Sequence, residues 1–228
     1  MGLRFILALL LCLLAAPAGA VTVNSSSSGT TGNGLTATLA HSVAGSDTLL
    51  IVSVFRWFPV TATVSGITYA GGAMTNLPNC TAQAHGSGFE RTEVWYKIAP
   101  ASGTNNVVVT MSETSHDIIV RATSFSGALQ TATATDFACV TAADITGATS
   151  ANAVATVDIT SAIGEIVYDA MGIGGGDNTG APIVGASQTE RCGNPPSTSC
   201  AGLYLASDFV GAASSTESGT TSVTMSWT

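Results

Sequence analysis

The feature that most limits the fold of this chain is a period of two. "DTLLIVSVFRWF", "FERTEVWYKIAP", "NNVVVTMS", "HDIIVRATSF" and "SVTMSWT" each place large apolar residues at every second position. Successive side chains of a β-strand point to opposite faces, whereas a helix repeats its apolar face every three to four residues. No stretch beyond residue 20 carries the helical spacing. Strand-like runs are expected at 35–42, 47–58, 60–69, 73–77, 89–98, 105–112, 116–125, 152–160, 164–173, 182–190, 200–210 and 220–227, separated by Gly, Ser, Asn, Asp and Pro clusters. The chain therefore reads as all-β.

Two of these runs fix the layering. "LLIVSVF" is apolar on both faces, with Leu50, Val52 and Val54 opposed to Leu49, Ile51 and Phe55. Such a strand belongs inside a sheet that is covered on both sides. "NNVVVTMS" and "HDIIVRATSF" are joined by "ETS" and are expected to pair as a hairpin. Strands of this number in about 200 residues predict one antiparallel two-sheet β-sandwich of jelly-roll type over 35–228. An immunoglobulin-like sandwich fits less well, because no Cys-Trp-Cys framework is present.

The run "FERTEVWYKIAP" poses the sharpest question about function. Val94, Tyr96 and Ile98 form its apolar face, while Arg91, Glu93 and Lys97 occupy the other, with Trp95 among them. An exposed indole beside a carboxylate suits a sugar ring, so Trp95, Glu93 and the strand-end Trp57 are the candidate ligand-binding residues. Large aromatics are mostly buried, which sets a covered Trp95 against that reading.

The N-terminus bounds the compartment. "MGLRFILALLLCLLAAPAGA" has one basic residue, an apolar run and a small-x-small end at Ala18–Ala20. That is the layout of a secretory signal peptide over 1–20, too short in its apolar core for a comfortable membrane span. Residues 21–34, "VTVNSSSSGTTGNG", read as a flexible polar arm. The chain carries 6 basic and 14 acidic residues, and loss of Arg4 with the leader leaves 5 against 14, a net charge of −9. Lys97 is the only lysine. Without a basic stripe, nucleic acid is excluded as a partner, and an anionic membrane surface has nothing to attract. The mature chain is expected to lack a membrane span and to be secreted, extracellular or cell-surface. Charged residues are 9% and hydrophobic ones 46% of the sequence, a low-charge composition that argues against disorder.

Cys80, Cys139, Cys192 and Cys200 remain after cleavage. An even number in an exported chain suggests two disulfides, for which Cys192–Cys200 across "CGNPPSTSC" and Cys80–Cys139 are the favoured pairs. A metal site would need closer ligand spacing than these cysteines show.

Three segments, "ITYAGGAMTNLP", "RTEVWYKIAPASGTNNVVVTMS" and "ATSFSGALQTA", carry a further pattern. It consists of Tyr69 with Gly71 and Gly72, Glu93 with Trp95 and Tyr96, Pro100 with Gly103, Val107 with Val109, and Ser126 with Gly127. It resembles a recurrent β-sandwich module of secreted bacterial and phage-associated proteins, over most of residues 35–227. The resemblance implies a framework role for these turn and core positions, Trp95 included, and an adhesive, carbohydrate-directed or cell-surface setting. Such modules continue past the final "SWT" with one more apolar strand. A chain ending at Thr228 is thus expected either to be a fragment or to leave a sheet edge open.

Catalytic chemistry is weakly represented. His41, His85 and His116 lie far apart in sequence and read as surface or strand-end residues. Glu90 and Glu93 would diverge on opposite faces of one strand. Nothing supplies a Gly-x-Ser-x-Gly elbow. "GIGGGDNTG" lacks the following helix of a phosphate cradle, and only Asp177 and Asn178 offer oxygen ligands to a Ca²⁺ ion; a plain connecting loop is the competing reading. No cofactor is otherwise implied. The sequence thus points to a secreted, non-catalytic structural or adhesive module that self-associates into filaments through strand pairing or meets a cell-surface or glycan partner. The alternatives are a carbohydrate-binding module and, further off, a glycan-active enzyme.

Overall fold

The computed structural model describes residues 21–57, 59, 61–83, 90–137, 139, 155–159, 166–174, 189–190, 208–215 and 223–227. In chain order the strands are β1 (Thr22–Thr31), β2 (Gly34–Val43), β3 (Leu49–Trp57), β4 (Val64–Tyr69), β5 (Gly72–Ala73), β6 (Thr75–Asn76), β7 (Ala82–Gln83), β8 (Glu90–Ile98) and β9 (Gly103–Ser126). They are followed by β10 (Ala155–Ile159), β11 (Val167–Gly174), β12 (Thr189–Glu190), β13 (Asp208–Ser215) and β14 (Val223–Trp227). Among the described residues the only helical elements are two short 3₁₀ turns, Pro78–Cys80 and Ala134–Asp136, and no helix is long and apolar enough to cross a membrane.

Two antiparallel sheets face each other. One runs β1–β9–β3–β8, with β6 and β7 on the far edge of β8; the other runs β2–β9–β4–β5. Strand β9 belongs to both, because its second half pairs with β1 and β3 and its first half with β2 and β4. Three segments thus cross from one layer to the other as arches: 22–43, 103–126 and 49–69, stacked in that order. The hairpin expected across "ETS" is corrected. The halves of β9 do not pair with each other; they meet through their side chains. Val107, Val109 and Met111 point inward from odd positions, and Ile118, Val120 and Ala122 from even ones. The change of parity turns both apolar rows toward one core.

That core lies between the sheets and includes Leu50, Val52, Val54, Ile67, Tyr69 and Trp95. Each fully buried aliphatic side chain contributes about 1.5–3 kcal/mol. The other face of β3 and β8 is also covered, as the two-sided apolar pattern of "LLIVSVF" requires. Leu49, Ile51, Tyr96 and Phe125 lie under Phe137, Ile166 and Tyr168. The Phe137 ring is 4.6 Å from Tyr96, and Tyr168 meets Phe125 edge-on at 6.1 Å. Cys80 and Cys139 lie at disulfide distance, with Cα atoms 5.1 Å apart, so the cover is tied down beside this cluster. Two smaller sheets, β10–β14 and β11–β13–β12, complete the described strands.

The arm expected over 21–34 is instead largely strand β1, in register with β9 from Thr22↔Ser126 to Thr31↔Ile118. Hydroxyl pairs take the place of apolar contacts: Ser25 to Ser124 at 3.0 Å and Ser26 to Thr123 at 3.2 Å. Gly29 lets the layers close up, since a Cβ there would stand 3.2 Å from Leu39 Cδ1. At the other end of the sandwich, Ala70 and Gly71 both have positive φ, 50° and 76°. This is the twist a two-residue hairpin between β4 and β5 demands.

Candidate functional site

Strand β8 keeps the alternation expected of it, but its charged-looking face turns inward. Glu93 is 4% exposed and Trp95 9%, and Trp95 belongs to the core between the sheets. Val94, Tyr96 and Ile98 face the outer cover. The stacking-platform reading of Trp95 is therefore corrected: this indole has no open face for a sugar ring. Glu93 is tolerated there because its Oε1 accepts from the Val64 backbone N–H at 3.0 Å and from Arg91 Nε at 2.8 Å. Burying a carboxylate without such donors would be costly. The bond to Val64 joins β8 in one sheet to β4 in the other, so Glu93 acts as a clamp across the layers. Trp57 closes β3 opposite Glu90 and His116, and its side chain lies outside the described residues. Asp177, Asn178, Cys192, Cys200 and His85 also lie outside them.

The second cluster centres on His41, which the sequence reading placed at the surface and which is 1% exposed. The signal was present: Ala37, Leu39, His41 and Val43 share the inward parity of β2. Its Nδ1 meets the Ser27 hydroxyl and its Nε2 the Ser25 hydroxyl at 3.3 Å. The Tyr69 ring stands edge-on at 6.4 Å, and its hydroxyl donates to the backbone carbonyls of His41 at 3.2 Å and Gly103 at 3.1 Å. A catalytic triad needs one ring nitrogen for the nucleophile and the other for an orienting carboxylate. Here serines take both. The cluster is built to hold the first arch closed.

Burial without a charged partner drives the imidazole pKa from 6.5 down to about 4. The folded protein therefore binds fewer protons than the unfolded chain between those values. The stability is fully present above pH 6.5 and falls as pH drops toward 4, by ~1.4 kcal/mol per unit and about 3 kcal/mol in all. Urea melts across this range are expected to show that slope in the wild type and to lose it in His41→Gln. An equal slope in both proteins would place the acid sensitivity elsewhere.

No family model, curated protein or solved structure matches this chain. Function must be read from the surface the fold presents, and the two sides of the sandwich differ. On one side β8 is edged by β6 and β7, and β4 by β5, each two residues long. Short edge strands are a common guard against unwanted pairing. On the other side, among the described residues, β1 and β2 pair with β9 alone. They form one 22–43 segment that edges both layers with ten-residue strands. That segment contains no Asp, Glu, Lys, Arg or Pro. Leu35 on it is 51% exposed. This edge is the candidate site.

Proposed function

We propose that the chain is a secreted, non-catalytic structural or adhesive module of jelly-roll type, and that it works by accepting a partner's strand on the β1–β2 edge. The observation that carries this reading is the asymmetry of the edges: one side blunted by two-residue strands, the other long, uncharged and free of proline. Main-chain hydrogen bonds supply the affinity in strand addition, and side chains on alternate positions supply its selectivity. The leader-like N-terminus and the resemblance to secreted surface modules support the setting. The glycan-binding alternative has lost its principal residue, since Trp95 is core.

A lysine on the rim of an accepting edge blocks strand addition without touching the interior. Thr38 is exposed on β2, and Thr110 is exposed on β9, one strand inward. Retention of the mature protein on cell-surface material from its source organism is the measurement. Thr38→Lys is expected to lower retention at least tenfold, while Thr110→Lys leaves it near wild type. Equal retention of all three proteins would refute the edge as the working surface.

A further inference from the structure

We infer that the occupant of the β1–β2 edge is the same edge of a second copy, closing a two-fold dimer in which both layers continue through the interface. The inference rests on the reading of that edge as the working surface and names its partner. One continuous segment, 22–43, presents β1 to one layer and β2 to the other along the same side of the sandwich. A two-fold axis perpendicular to the layers sets β1 antiparallel to its copy and β2 antiparallel to its copy at once.

Charge points the same way. The chain has a net charge of −8, yet 22–43 carries no ionised side chain, so two copies meet here without bringing like charges together. The exposed positions of β2 are Leu35, Thr36, Thr38, Ala40 and Ser42; apart from Leu35 they are small, and the three hydroxyl-bearing ones pair well across antiparallel strands. Exposed Leu35 gains cover in the same contact.

The edge asymmetry also decides the order of assembly. An open filament needs a heterologous contact between two different complementary edges, whereas an isologous contact uses one patch twice and closes. The far edge is occupied by β5, β6 and β7. The dimer is therefore the end state, in place of the filament that the sequence suggested.

Light scattering behind size exclusion tests this on the mature chain. The wild type is expected at twice the monomer mass, Thr38→Lys at the monomer mass and Thr110→Lys at twice. Position 38 lies near the middle of β2, so the two introduced lysines approach each other across the axis and repel. Hydrogen exchange of the wild type provides a reading without variants: amides within 22–43 gain protection as concentration rises, and the rest of the molecule does not. A wild type monomeric at every concentration, a dimer indifferent to Thr38→Lys, or species that grow without limit would each overturn the inference. A monomer whose surface retention still falls with Thr38→Lys removes the dimer and leaves the edge as a site for another partner. A dimer broken by Thr38→Lys with unchanged retention removes the adhesive reading and leaves the dimer.

Discussion

Trp95→Ala is expected to lower the unfolding free energy by about 4 kcal/mol, the loss typical of truncating a core indole. At this chain length that is a fall in Tm of roughly 8–16 °C. The residue lies between Val52 on β3 and Asn76 on β6 in its own sheet, and its ring fills the space between the layers. Trp95→Phe separates volume from polarity. The indole Nε1 is buried with no hydrogen-bond partner among the described residues, so phenylalanine removes an unsatisfied donor while keeping most of the apolar area. It is expected to retain more than half of the stability lost in the alanine variant. Urea unfolding of the three proteins checks this. A loss below about 0.5 kcal/mol for Trp95→Ala, the range of ordinary surface substitutions, would contradict a buried indole.

Loss of the Cys80–Cys139 link is expected to cost a similar amount. The two residues are 59 apart in sequence, and closing a loop of that length removes entropy from the unfolded chain worth about 4 kcal/mol. The local effect falls on the outer cover, where Phe137, two residues from Cys139, packs on Tyr96. Replacing both cysteines by serine is expected to lower the urea midpoint by that amount and to increase binding of a hydrophobic dye as Leu49, Ile51 and Phe125 become accessible. A reductant is expected to lower the midpoint of the wild type by at least this amount and that of the double serine variant by less, since the expected Cys192–Cys200 pair remains in both. A wild-type midpoint indifferent to reductant would show that the pair carries no bond. The effect belongs to an oxidising compartment, where such a bond persists.

Alternation made much of this fold legible. It identified β3 as a central strand covered on both sides, and both clusters flanking it are observed. It also separated Tyr96 from Trp95 correctly, but it cannot say which of two faces meets the other sheet. The charged neighbours of Trp95 left a solvent-facing indole open beside a covered one. Solvent is absent there because Glu93 finds a donor on Val64, 29 residues away on the opposing layer. His41 was misplaced for a related reason: its partners, Ser25 and Ser27, sit on a segment whose composition suggested no structure at all. The change of parity along β9 was visible in the residues. A hairpin and an arch share the same local sequence, though, and differ only in whether the strands pair with each other or with distant neighbours.

Local sequence was enough for the all-β character and the double-sided strand at the centre, and it favoured Cys80–Cys139 among three possible pairings without settling it. These follow from periodicity and composition, which act over a few residues. That β9 spans both layers, that the serine-rich segment is an ordered edge and that Trp95 is core came from long-range contacts. Each depends on groups brought together from far along the chain: Ser25 and Ser124 are 99 positions apart, and Ser26 and Thr123 are 97. Hydrogen bonding and burial at that separation are satisfied by the whole fold, and no local pattern encodes them.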